Sequence, residues 1–345
     1  MPVKIFMMPM DHEYINLLKS SLEKNNVEVK LLKPFHYAAI INILALIFYR
    51  FRGYRLAHIH WLYIFPCSFV MKLFYILCKS LKITIIWEMH NIVSHSATMQ
   101  DYKISKWFYE NVDAIIYHSQ DDIQRAKSEL QTNVDKLHIV VPHGNFNNSY
   151  ENNISKIDAR KALDIDVKSR VVLCFGAIRK NRGYEYLIEA IKTLNNTVAL
   201  IVGKIQDKDV YYILQQYAKI NNNIKLIAKT KWIPDHDIQY FFNACDVVVL
   251  PYTDITTSGV IPLSYAFSKP VITTAIGGIK DIVNSDVGIL VPPCDSIELR
   301  NAIENIFRLD IETMGKNAYV YSQEAFNWDK NSQKINIFYE SLLEN

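Results

Sequence analysis

Short apolar runs alternate along this chain with longer stretches in which apolar positions return every three or four residues. The runs predict buried strands of a parallel sheet, and the wider spacing predicts helices packed on them. In the first half, strands are expected over Val3–Pro9, Val27–Lys33, Leu56–Trp61, Lys82–His90, Ala114–Ser119 and Ile139–Gly144, with an amphipathic helix over His12–Asn25. The polar segment Asn145–Lys156 has the composition of a linker. From Ser169 the plan repeats, with strands over Val171–Gly176, Val198–Lys204, Asn223–Lys229, Asp246–Tyr252, Lys269–Thr274 and Val287–Pro293. Such alternation implies an α/β chain of two doubly wound halves. The last segment, Asn331–Leu343, places Ile335, Ile337, Phe338, Leu342 and Leu343 as a closing helix would.

A length of 345 residues agrees with two domains, and 50% hydrophobic residues allow each a core. With 38 basic and 35 acidic residues the net charge is +3, which gives no global argument for nucleic-acid binding. The five cysteines form no C-x-x-C pair, so neither a disulfide framework nor a zinc site is indicated, and a reducing, cytoplasmic location is the simplest home. The opening MPVKIFMMPMDHEY reads as a strand rather than a signal peptide.

Two apolar stretches modify this picture. Ala38–Tyr49 is followed by Arg50, Arg52 and Arg55, and Leu62–Cys78 by Lys79 and Lys82. The first is too short to span a bilayer and the second carries Pro66 and Lys72. They read either as helices buried against the sheet or as an apolar surface, edged by cations, lying peripherally on the inner face of an anionic membrane.

Candidate chemistry concentrates at expected strand ends. In VVLCFGAIRKNRGY (Val171–Tyr184) an apolar strand ends in a glycine and is followed by Arg179, Lys180 and Arg182. A loop at the carboxyl end of a parallel strand is where open α/β sheets bind ligands, and the cations there suit a diphosphate. A solvated basic turn has the same composition. In the first half His90, His95, His118 with Ser119, and His143 with Gly144 fall at strand ends. His58 and His60, two apart on a strand, face one side and invite a metal, but no third ligand is evident.

The stretch FGAIRKNRG resembles the F-G-x-I-R-x-x-K-G signature of the group 1 (family 4) glycosyltransferases of GT-B fold, and Trp232–Gly278 is similar to the same family's C-terminal core. The resemblance implies two Rossmann-like domains facing a central cleft: an acceptor-binding domain over 1–150, a nucleotide-sugar domain over 151–330, and a closing helix over 331–345 that packs back across. It implies that Arg179 and Arg182 hold the donor diphosphate, Arg182 replacing the family's usual lysine. The loop before Thr257, Ser258 and Gly259, and the helix that these residues open, would face the donor phosphates, with Thr or Ser as a good N-cap. His90 stands where relatives carry an acceptor-side histidine near the donor sugar.

The first strand's loop, Pro9-Met10-Asp11-His12, lacks the glycine pair of many relatives. Two glutamates of the family pattern are also missing: their positions fall near Ile255 or Thr256 and at Leu263 or Ser264, with Asp254 the nearest acid and the candidate to serve instead in donor binding. The implied activity is retaining transfer from a nucleotide-diphosphate sugar to a glycan or lipid-linked acceptor in surface polysaccharide or glycolipid synthesis, with no metal or other cofactor. A non-catalytic GT-B partner of an active transferase and a nucleotide-sugar 2-epimerase stay open as alternatives.

Overall fold

Each apolar run becomes a strand, and most of the strands stop short of the expected limit at the carboxyl end, while those ending at Lys204, Lys229 and Thr274 reach it. A computed structural model describes residues 2–10, 12–93 and 98–344, without the side chains at 36, 37 and 39. In chain order the first part comprises β1 (Val3–Met8), α1 (Glu13–Lys24), β2 (Val27–Leu31), α2 (Phe35–Arg50), β3 (Leu56–Ile59), α3 (Ser68–Ser80), β4 (Thr84–Glu88), α4 (Met99–Asn111), β5 (Ala114–Tyr117), α5 (Gln120–Glu129) and β6 (Leu137–Val140). Its six strands are parallel in the order β2-β1-β3-β4-β5-β6.

The second part begins with α6 (Lys156–Ala162), β7 (Arg170–Phe175), α7 (Tyr184–Ile191), β8 (Thr197–Lys204), α8 (Lys208–Ile220), β9 (Ile224–Lys229) and α9 (Asp235–Ala244). It continues with β10 (Val247–Leu250), α10 (Val260–Ala266), β11 (Val271–Thr274), α11 (Ile279–Ile282), β12 (Gly288–Val291), α12 (Ser296–Ile306) and α13 (Ile311–Ala325), and α14 (Trp328–Glu344) ends the chain. Its sheet is also parallel, in the order β12-β11-β10-β7-β8-β9.

Two compact units result: residues up to Gly144 together with those from Asn327 onward, and Asn145–Phe326 between them. In the first sheet alternate residues feed opposite layers, as a two-residue period requires. Phe6, Ile85, Trp87 and Tyr117 point into an aromatic layer with Phe35, Phe74 and Phe108. Ile5, Met7, Ile86 and Ile116 point into a second layer, which α1 and α14 cover. The closing helix therefore belongs to the first unit. It buries Ile335, Phe338, Tyr339 and Leu342 there, while Ile337 faces out, and Ser332 Oγ bonds both Ser21 Oγ and Asn25 Nδ2 at 2.8 Å.

The polar segment after Gly144 is less loose than its composition suggests. Asn145 donates from both its backbone N and its Nδ2 to Phe326 O at 3.0 Å, Phe146 is buried, and Asn153 N donates to Gln239 Oε1 at 3.1 Å. Its asparagines fix irregular backbone by side-chain bonds instead of solvating a free linker.

The two apolar stretches form α2 and α3. Leu46, Met71, Phe74 and Cys78 enter the core. Ile40, Ile41, Leu44, Ile47, Phe48 and Phe51 instead lie along the outer side of α2, and Phe69, Leu73 and Ile76 lie on the outer side of α3. Among the described residues no helix is long and apolar enough to cross a membrane.

Candidate functional site

In the second unit β7 lies between β8 and β10, so the strand order reverses there and the loops leaving β7 and β10 meet at a topological switch point. Local sequence shapes the β7 loop. Gly176 has φ 120° and Gly183 φ 65°, and a Cβ on Gly183 would stand 1.9 Å from Pro251 O, so only glycine lets the loop close against the end of β10.

Between these glycines a short turn over Lys180–Arg182 turns Arg182 inward, where it is only 6% exposed. Its Nη1 donates to Tyr252 Oη at 2.8 Å and its guanidinium lies 5.0 Å from that ring's centre. Tyr252 Oη is in turn 2.7 Å from Ser258 Oγ, and Thr274 Oγ1 donates to Tyr252 O at 2.8 Å. Asn181 ties the two loops, donating from Nδ2 to Asp254 O at 2.7 Å, while Thr253 N donates to Asn181 O at 3.2 Å.

Arg179 lies half-buried beside this lattice and Lys180 is exposed. Burial, then the neighbouring Arg182, pushes the Arg179 guanidinium down to about 10, which leaves it a cation at neutral pH. Among the described residues neither arginine forms an ion pair with a carboxylate, and the Nε of each is buried without a hydrogen-bond partner. One buried and one half-buried guanidinium side by side, with Asp254 acting on Arg179 only from beyond ion-pair distance, are costly unless a closer anion joins them.

Of the remaining predicted donor residues, Asp254 is exposed, Thr257 and Gly259 are half-buried, and Ser258 is buried. The expected side-chain cap is corrected. Gly259 is the N-cap of α10 and has no side chain to cap it with, and the Ser258 hydroxyl before it is spent on Tyr252. The two positions of the second missing glutamate are filled by Leu263 and by Ser264, whose Oγ donates back to Val260 O at 2.7 Å. Tyr252 and Asn181 are functional candidates that the sequence reading missed. Their signal was present only as neighbours of the arginines and of Pro251.

In the first unit the histidines gather around one acid. Glu88 ends β4, and His58 on β3 pairs with Ile86, so Glu88, two residues on, faces the same side as His58 and His60. His58 Nε2 is 3.0 Å and His60 Nδ1 3.3 Å from Glu88 Oε2, and His90 Nε2 and His118 Nε2 are each 3.6 Å from Oε1. Tyr14, from the first turn of α1, donates its hydroxyl to Glu88 Oε1, and Tyr339 Oη lies 2.6 Å from His58 Nδ1. All seven side chains are buried. The sequence showed no third candidate ligand for the His58/His60 pair; the fold brings Glu88 to them, and the three offer ligand atoms within 4.8 Å of one another.

His90 bridges two of its neighbours, with Nε2 3.3 Å from His60 Nδ1 and Nδ1 3.1 Å from His118 Nε2. A carbonyl only accepts, so His118 Nδ1 donates to Val141 O at 3.0 Å. In the neutral ring, His118 Nε2 then accepts from His90 Nδ1, and His90 Nε2 is left without a hydrogen. Burial alone would push the Glu88 carboxyl up, yet His60 and His58 hold it well below the usual carboxylate range. Burial, then His118, holds His90 well below the usual imidazole value, and His143 is pushed down to about 3 by burial and His118. His12 caps α1 by accepting from Tyr14 N at 3.1 Å. Asp11 and His95 lie outside the described residues.

Residues 155–328 match the family model described as glycosyl transferases group 1. The chain is 20% identical over 250 residues to the D-inositol 3-phosphate glycosyltransferase of Corynebacterium diphtheriae, an alignment covering 67% of this chain and 56% of that protein. It is 25% identical over 199 residues to the putative teichuronic acid biosynthesis glycosyltransferase TuaC of Bacillus subtilis, covering 56% and 48%. The chain thus spans about half the length of the curated relatives it matches. The crystal structure of Anabaena Alr3699/HepE in complex with UDP superposes with a TM-score of 0.72 at 20% identity, covering 99% of this chain and 100% of that one. A likeness at this identity shows a shared fold.

Proposed function

Because this chain belongs to the group 1 glycosyl transferases, whose model covers residues 155–328, and folds as two parallel six-stranded α/β units like the GT-B enzymes, we propose that it transfers a sugar from a nucleotide-diphosphate donor. One observation carries this reading: the buried Arg182 and the half-buried Arg179 meet at a switch point, each with its Nε buried and unbonded and with no carboxylate in ion-pair contact with either among the described residues. A diphosphate supplies the missing anion with charge-assisted hydrogen bonds, so its charge is met by guanidinium groups and no metal is needed at that point. Tyr252 holds Arg182 in place, and Arg179 is the contact nearer solvent. The UDP in the HepE structure is that protein's ligand, and it makes UDP the first nucleotide to try.

In this reading the first unit binds the acceptor. An acceptor oxygen attacks the anomeric carbon as the bond to the β-phosphate breaks, and its proton passes to a departing phosphate oxygen on the same face, with retention. His90 acts on the acceptor side near the sugar. To donate to a sugar hydroxyl, its Nε2 must take up a proton and exchange the contact with His60. The apolar outer sides of α2 and α3, beside Arg50, Arg52 and Lys72, favour a lipid-linked acceptor presented at a membrane surface. TuaC and the Rhizobium meliloti lipopolysaccharide core mannosyltransferase LpsB are named for surface-polymer assembly, which agrees with an acceptor of that class.

Calorimetric titration with UDP, GDP, ADP and their sugar conjugates tests the reading. One nucleotide is expected to bind, and Arg179→Ala to weaken it by about 1.5–3 kcal/mol, roughly 10- to 150-fold. Binding by none of them, or binding that Arg179→Ala leaves unchanged, overturns it. Leu263 and Ser264 at the glutamate positions favour one second reading, a donor-binding partner that transfers nothing. Donor that binds but is not consumed with any acceptor would select it.

A further inference from the structure

We propose that the buried cluster of His58, His60 and Glu88 is a binding site for a divalent transition metal of the zinc class, in the first unit and separate from the diphosphate site. Hydrogen-bond accounting is the first argument. His58 Nε2 and Glu88 Oε2 are buried and only 3.0 Å apart, yet neither is satisfied by a well-formed hydrogen bond. A cation between them would satisfy both atoms at once. His60 Nδ1 stands 3.3 Å from the same oxygen, and separations of about 3.0–3.4 Å are what ligands about 2.0–2.1 Å from one ion show.

The second argument is the outer shell. A metal-binding histidine offers one nitrogen and anchors the other, and a binding carboxylate is held through its far oxygen. Tyr339 Oη lies 2.6 Å from His58 Nδ1, and Tyr14 bonds Glu88 Oε1, so two of the three ligands are anchored at the atom that would face away from the ion, while His60 Nε2 is buried without such an anchor. His90 Nε2, 3.3 Å from His60 Nδ1, is the nearest fourth donor, and its own Nδ1 is anchored on His118. Two imidazoles and one carboxylate, with a third imidazole in reach, suit zinc, cobalt or nickel better than magnesium or calcium. Enclosure of the ligands makes the site a structural brace between β3, β4 and α14.

The experiment uses the full chain, stripped with a chelator and then titrated with zinc and with cobalt. The expected result is about one bound equivalent, a cobalt spectrum of tetrahedral intensity and a higher Tm with metal than without. Glu88→Gln and His58→Asn should each abolish binding. If either variant fails to fold, Tyr339→Phe keeps every ligand and should weaken affinity by roughly 10- to 100-fold. Less than about a tenth of an equivalent in the wild type, or full binding by a folded Glu88→Gln or by Tyr339→Phe, overturns the proposal. Nucleotide binding measured on the same metal-free preparation tests the donor site separately.

Discussion

Gly183 shows how one missing side chain sets the geometry of the arginine loop. Its φ of 65° is costly for any other residue, and an added Cβ would stand 1.9 Å from Pro251 O, a backbone atom that cannot swing away. Gly183→Ala is therefore expected to cost about 2–4 kcal/mol and to lower Tm by roughly 5–15 °C. Because Arg182 is its neighbour, nucleotide affinity should fall by at least about tenfold as well. A variant with unchanged Tm and affinity would show that the contact with Pro251 is unimportant. The arginines were legible in the sequence because strand, glycine and cations are contiguous and the pattern is local. The first-unit cluster was not: Tyr14 reaches Glu88 across 74 positions and Tyr339 reaches His58 across 281, separations that only the fold closes. Ser258 misled for a related reason, since the capping preference of serine competed with a tyrosine hydroxyl whose position the sequence does not give.

At the scale of elements, strand existence was legible and strand ends were not. Apolar runs mark buried strands, but His60 and Trp61 continue the run past the end of β3; His60 N still donates to Met8 O at 3.2 Å, and the two-residue period keeps His60 on the face of His58 and Glu88. Helix α2 departs from the usual pattern in the opposite sense. Its residues 40, 41, 44, 47 and 48, continued by Phe51 just past its end, follow helical spacing, which ordinarily marks a core face, yet they are the exposed ones, with Phe51 at 85%. Arg52 stacks 4.2 Å from the centre of the Phe48 ring, so a cation accompanies the apolar stripe. Sequence periodicity cannot tell which of two apolar faces of α2 the core takes. If the outer face meets lipid, the protein should co-sediment with vesicles containing anionic lipid and less with neutral ones. Ile41→Glu combined with Phe48→Glu should reduce that binding by at least about tenfold. Both positions are exposed, so Tm should barely move. Equal sedimentation of variant and wild type would remove the membrane from the acceptor hypothesis.

At the scale of the whole molecule, the chain leaves its first unit at Gly144 and returns to it at Asn327, so the integrity of that unit depends on residues at the far end of the sequence. The return is made by α14, whose Ile335, Phe338, Tyr339 and Leu342 fill the layer between the first sheet and α1. Burying such side chains contributes about 1.5–3 kcal/mol each, so the four together contribute roughly 6–12 kcal/mol. That is as large as the whole stability of an ordinary domain, about 5–15 kcal/mol. Deleting the chain from Asn327 should therefore unfold the first unit and leave the second intact. Calorimetric melting of the full chain should show a transition that nucleotide raises, belonging to the unit that carries Arg179 and Arg182, and a transition that nucleotide leaves in place. The shortened chain should retain only the nucleotide-sensitive transition and still bind the nucleotide. Persistence of both transitions would mean that α14 covers a layer already stable without it. Loss of both would mean that the second unit depends on the first.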